Sequence, residues 1–126
     1  MNWLPMGVAL LAALAIIAVG CAYLFSPWNA TESFGLPPPE PGANTTWWLR
    51  LKGVRDVVSG MLILALMMWS SPHVVGIALL VASMTPLGDM TLVLCARGST
   101  KLAFGMHGLT AAVMVAAAIV LIARVA

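Results

Sequence analysis

The chain has 126 residues, of which 62% are hydrophobic and only 8% charged, where soluble proteins carry about 25% charged residues. That composition excludes an ordinary soluble domain and points to a single membrane-embedded one. Six Lys or Arg and four Asp or Glu leave a formal net charge of +2, and no nucleic-acid partner is expected.

Four stretches, 3–25, 51–69, 74–95 and 102–122, are long and apolar enough to cross a bilayer of about 30 Å, which takes roughly 20 helical residues. They are longer than barrel strands and lack period-two alternation, and backbone polar groups in lipid have to be satisfied within each segment. The expected fold class is therefore all-α, an integral membrane bundle of four transmembrane helices in one domain, 1–126. In the first stretch, Ala18-Val19-Gly20-Cys21 has the look of a lipoprotein cleavage site. With no basic n-region and too long an apolar run, it reads as a retained helix.

The connection 26–48 carries Pro37-Pro38-Pro39, Pro41, Gly35 and Gly42 together with Glu32 and Glu40, which favours extended, polyproline-like backbone. Two readings stay open for it, an ordinary exposed loop and a lid across the mouth of the bundle. The later connections, Ser70-Ser71-Pro72 and 96–101, are short and make the last three helices consecutive antiparallel neighbours.

Arg50, Lys52, Arg97 and Lys101 flank the first and third connections, and Arg124 lies on the opposite side. The distribution predicts those two connections in the cytoplasm and both termini outside. Asn29-Ala30-Thr31 and Asn44-Thr45-Thr46 are sequons that would then stay unmodified. Cys21 and Cys95 are expected as free thiols on the same side. His73 and Trp69 are expected as anchors at the opposite interface, and the nine Met residues as lipid-facing or core packing.

Counted from the predicted helix ends at 1.5 Å per residue, Arg55, Asp56, Asp89 and His107 fall at one depth, roughly 8 to 9 Å below the surface. Lys52, Arg55, Asp56 and Ser59 follow i, i+3, i+4, i+7 spacing and form a polar stripe expected to face the bundle interior. Thr85 shares a face with Asp89, and Pro86 with Gly88 is expected to loosen the backbone between them or admit another helix. His107 lies within a turn of Thr110, and Gly105 and Gly108 offer a small surface for close packing.

Ionisable groups inside a membrane pair with one another or line a water-filled cavity, and are functional candidates by default. Arg55 is expected to pair with Asp56 and keep it ionised, leaving Asp89 as the neutral partner, so that one base and one acid share a site. Lys52, Ser59, Thr85 and Thr110 are the candidate substrate-binding residues. Lys52 also reads as an interfacial cation with Arg50, Arg97 and Lys101. The structural alternative is Arg55 bridging both carboxylates, with His107 hydrogen-bonded nearby and no cavity. No metal-ligand spacing, phosphate loop or nucleophile elbow is present, so neither metal nor cofactor is expected.

Gly53-x-Arg55-Asp56 opening the second helix, Asp89 late in the third and His107 early in the fourth together resemble a family of small four-helix membrane proteins of bacteria and fungi. That family is catalogued as a domain of unknown function, and the resemblance spans roughly 47–110. The set Asp, Arg, Asp is also similar to the site of limonene-type epoxide hydrolases, soluble enzymes, so that this likeness is one of chemistry and not of fold. It implies Asp56 as the water-activating base, Arg55 as its orienter, Asp89 as the acid on the epoxide oxygen and His107 as a proton carrier or hydrogen-bond partner. The two Asp roles are exchangeable.

The expected function is thus a membrane enzyme using acid-base catalysis on a lipophilic small molecule, most concretely epoxide hydrolysis or epoxide-opening cyclisation in secondary metabolism such as fungal polyketide pathways. A transport or proton-relay protein and a structural membrane subunit are the alternatives. Partners are the bilayer, the substrate and, given the small-residue faces of the first and fourth helices, a second copy of the chain.

Overall fold

The computed structural model describes residues 3–124, and every regular element among them is helical. The elements are α1 (Trp3–Phe25), α2 (Pro27–Glu32), α3 (Ala43–Trp69), α4 (Pro72–Ala82), α5 (Met84–Cys95), α6 (Thr100–Leu102), a π-helical segment (Ala103–Gly108) and α7 (Leu109–Ala123). Three helical stretches, Trp3–Phe25, Pro72–Cys95 and Thr100–Ala123, are long and apolar enough to cross a membrane. The fourth long helix, α3, carries Lys52, Arg55 and Asp56 in its first half and does not belong to that set.

Side chains are distributed inside out relative to a soluble bundle. Ala9, Ala13, Ala103 and Ala118 are fully or nearly fully buried, whereas Leu11 is 68% and Val81 63% exposed. An outer surface of large aliphatic groups, with alanine and glycine at the helix contacts, suits lipid contact, where helices meet through close packing rather than through expulsion of water.

The tightest contact joins α1 to α3. A Cβ added to Gly20 would lie 2.6 Å from the Gly53 carbonyl oxygen, and one added to Gly53 would lie 2.6 Å from that of Gly20. Two turns along, a Cβ on Gly60 would come within 2.6 Å of the Ala13 carbonyl oxygen. At the far end the core is apolar, built from Ala9, Ala13, Ile63, Val75, Leu79, Met114, Ala117, Ala118 and Leu121. There, too, His73 Nδ1 lies 3.3 Å from the Ile122 carbonyl oxygen, joining the start of α4 to the end of α7.

Several boundaries differ from the sequence expectation. The second long helix starts at Ala43 rather than 51, because no proline interrupts 42–71 and Trp28 Nε1 donates to Thr46 Oγ1 (3.0 Å), tying its first turn to α2. The third predicted helix is interrupted at Ser83, upstream of the expected kink. Pro86 has no N–H to offer the Ala82 carbonyl, and Ser83 Oγ donates to the Leu80 carbonyl oxygen at 2.6 Å. The fourth is continuous from Thr100 but widens into the π-helical segment. Its buried positions, Ala103, His107, Ala111 and Met114, are spaced four, four and three apart and keep one face of the helix turned inward through the segment.

The proline-rich connection is no free loop. Ser99 N donates to the Gly35 carbonyl oxygen at 2.8 Å, and a Cβ added to Gly98 would strike that same oxygen. Gly35, at φ +106°, makes the turn that this docking needs.

The α1–α3 contact yields a paired prediction for thermal unfolding in detergent micelles. Gly53→Ala forces backbone apart and is expected to cost about 2 kcal/mol or more. Gly88→Ala, whose Cβ would meet nothing within 4 Å, is expected to be neutral or to stabilise by up to about 1 kcal/mol.

Candidate functional site

The polar end of the bundle is formed by the end of α1, the first half of α3, α5 and the proline-rich connection. Lys52 Nζ lies 2.7 Å from Asp56 Oδ2, with side-chain exposures of 34% and 13%. This is the only ion pair among the described residues, and it corrects the expectation that Arg55 pairs with Asp56. Positions i and i+4 stack on one face of a helix, whereas adjacent residues diverge by about 100°. Arg55 is accordingly exposed.

Two aromatic rings hold the ammonium in place. Lys52 Nζ lies 4.1 Å from the centroid of the Tyr23 ring and 5.1 Å from that of Phe34, within the range of cation–π attraction. Lys52 is therefore a half-buried group facing α1 and the connection, whereas Arg97 and Lys101 are exposed.

Two cavities meet at Lys52 and Asp89. An open groove of ≈ 320 Å³ is lined by Trp48, Leu51, Lys52, Arg55, Asp56, Thr85 and Asp89. A second chamber of ≈ 270 Å³ lies beneath the connection, where Phe34, Leu36, Pro37 and Pro39 face Tyr23, Leu49, Lys52, Asp89 and Leu92. Of the two readings of the connection, the lid describes its placement, since its residues wall this chamber. Five of the eight candidate site residues thus share one groove, and Asp89 makes no hydrogen bond or ion pair among the described residues.

The other three sit elsewhere. Ser59 is exposed and donates to the Arg55 carbonyl oxygen at 2.9 Å. Thr110 is exposed as well and donates to that of Met106 at 2.6 Å. Each hydroxyl is satisfied by its own helix.

His107 is 6% exposed and lines neither cavity. Its Nε2 donates to the Phe34 carbonyl oxygen at 2.7 Å, and its ring lies 4.6 Å from that of Phe34. Of the two roles expected for it, the geometry has it as a hydrogen-bond partner that fastens the connection. Gly105 touches no other helix, while a Cβ on Gly108 would lie 2.8 Å from Met90 Sδ, so only the second of the two glycines serves close packing. No three His, Cys, Asp or Glu side chains among the described residues gather as metal ligands.

Sequence reasoning missed Tyr23, Phe34 and Trp48. Tyr23 was the most accessible of these: it is the single tyrosine of the chain and follows Gly20 by three positions on the same helix face.

A sequence profile of the family described as Domain of unknown function (DUF4267) matches residues 13–121. The chain belongs to that family. The DUF4267 match takes in most of α1 and the whole proline-rich connection, more than the 47–110 over which the motifs carry a resemblance. No curated protein and no solved structure matches the chain, and a likeness to epoxide hydrolases has no support in these comparisons.

The pair geometry predicts unequal consequences for neighbouring cations. Lys52→Ala removes an ion pair and two ring contacts and is expected to cost about 1 to 2 kcal/mol in thermal unfolding. Arg55→Ala is expected to stay within about 0.5 kcal/mol of the native chain.

Proposed function

We propose that this DUF4267 protein is an integral membrane enzyme that uses acid-base catalysis on a lipophilic small molecule, with epoxide opening as the most concrete reaction. The single observation that carries this reading is the groove in which Asp56, paired with Lys52, and Asp89, without a partner among the described residues, face one space. A bridge of Arg55 between two carboxylates with no cavity would have favoured a purely structural role, and the ion pair and the groove favour a site instead.

In this mechanism the Asp56 carboxylate takes a proton from water as the water oxygen forms a bond to an epoxide carbon. The C–O bond of the ring breaks, and its oxygen takes the proton of the Asp89 carboxylic acid, giving a vicinal diol. Lys52 replaces Arg55 as the group that orients Asp56. Arg55 and Thr85, at the open side of the groove, are placed to contact the substrate. An internal hydroxyl in place of water gives a cyclic ether by the same proton movements.

The test is metabolite comparison in a host that expresses the chain beside its neighbouring genes. Asp56→Asn and Asp89→Asn, verified to fold, are each expected to lower product formation by 100-fold or more and to accumulate a lipophilic precursor one water lighter than the diol. Unchanged metabolites with both variants would sink the reading.

In this reading the four long helices all span the bilayer, with the connection ending at Gly42 and that after α5 in the cytoplasm. Arg50, Arg97 and Lys101 at that end support the orientation. An impermeant maleimide is expected to label exposed Cys95 only after cells are opened, and labelling of intact cells would invert the topology.

A further inference from the structure

The acid-base mechanism occupies the open groove and leaves both Tyr23 and the chamber under the connection without a role. Tyr23 is 3% exposed and lines that chamber, yet its hydroxyl makes no hydrogen bond among the described residues. A buried phenol ordinarily finds a partner. Since Tyr23 lines the chamber, a molecule bound there can supply the partner that the protein does not.

We propose that the chamber is the binding pocket for a compact apolar molecule bearing a single hydrogen-bond-accepting oxygen, and that Tyr23 donates to that oxygen. The walls supply the apolar part, from Phe34, Leu36, Leu49 and Leu92. The polar groups are nearly all donors. Lys52 has three N–H groups and gives one to Asp56, which leaves two. Asp89 joins them as a donor in its acid form, and for this the inference rests on the acid-base reading.

Thr31 is the exception, since its hydroxyl proton goes to the Trp28 carbonyl oxygen at 2.7 Å and leaves it an acceptor. Such a set suits a carbonyl, ether or epoxide oxygen and offers an amine little. A volume of ≈ 270 Å³ falls just below the usual range of ligand pockets, about 300 to 1,000 Å³, so the molecule is compact. Because Lys52 and Asp89 line both cavities, the oxygen held by Tyr23 sits on the chamber that Asp89 shares with the groove.

Camphor, a compact ketone, and bornane, the same skeleton without oxygen, test the pocket without turnover. Titration calorimetry on the protein in micelles, with empty micelles subtracted, is expected to give saturable camphor binding about 10-fold tighter than bornane, the worth of one hydrogen bond. Tyr23→Phe is expected to erase that difference by weakening camphor alone. Leu49→Trp, which fills the chamber from α3, is expected to abolish binding of both probes.

Equal camphor affinity in the native chain and Tyr23→Phe, no saturable binding, or indifference to Leu49→Trp overturns the proposal. Should Tyr23→Phe not fold, the contrast between the probes and the effect of Leu49→Trp still decide. Tyr23-dependent binding alongside unchanged metabolites in both Asp variants leaves the pocket standing and the acid-base reading fallen. The converse pair of results removes the pocket and leaves the groove.

Discussion

The backbone approach of α1 and α3 sets the register on which the site depends. Gly20 and Gly53 leave each other's carbonyl oxygens no room for a Cβ, so the two helices cannot slide without collision. In that register Tyr23, one turn beyond Gly20, falls over Lys52, the residue before Gly53, with 4.1 Å between ammonium and ring centroid. The ion pair follows from this placement. Lys preceding Asp at i, i+4 is the weaker order for such a pair on an isolated helix, and the rings of Tyr23 and Phe34 supply the attraction that the helix alone does not.

The connection is seated at a cost that the backbone records. Gly98 N donates to the Val93 carbonyl oxygen at 2.9 Å and Arg97 N to that of Leu94 at 3.1 Å, the pattern of a Schellman cap. The left-handed residue in that cap is Arg97, at φ 56°, where glycine is usual. A side chain there costs roughly 1 to 2 kcal/mol. The glycine stands one residue later because a Cβ at 98 would strike the Gly35 carbonyl oxygen. Docking the roof of the chamber thus outranks relaxing the helix end, and His107 adds a second fastening from the π-helical segment.

Hydropathy made the long helices legible in the sequence, since runs of twenty apolar residues have few other solutions. Asp56 and Asp89 were legible for a related reason, as carboxylates inside apolar helices that ask for a partner. The partner was not. Lys52 and Arg55 stand in the same polar stripe beside Asp56; the i, i+4 spacing admits Lys52, and the tertiary position of two rings holds its ammonium there. The start of α3 at Ala43 and the break at Ser83 escaped because each is set by a hydrogen bond, Trp28 to Thr46 and Ser83 to Leu80, that no periodicity encodes. The widened turn at Ala103–Gly108 likewise leaves no mark in composition.

The distribution of polar groups bears on transport. A conducting path or proton relay from the site to the far face would have to pass the core of Val75, Leu79, Ala118 and Leu121, each with no exposed surface. The buried polar residues among those described are Ser83 and His107. Ser83 spends its hydroxyl proton on its own helix, and His107 gives its Nε2 proton to the connection. Neither offers the chain of exchangeable partners that a relay needs. The polar end, with its two adjoining cavities, is thus bounded on the far side by aliphatic packing, and the fastened connection walls the second cavity alone.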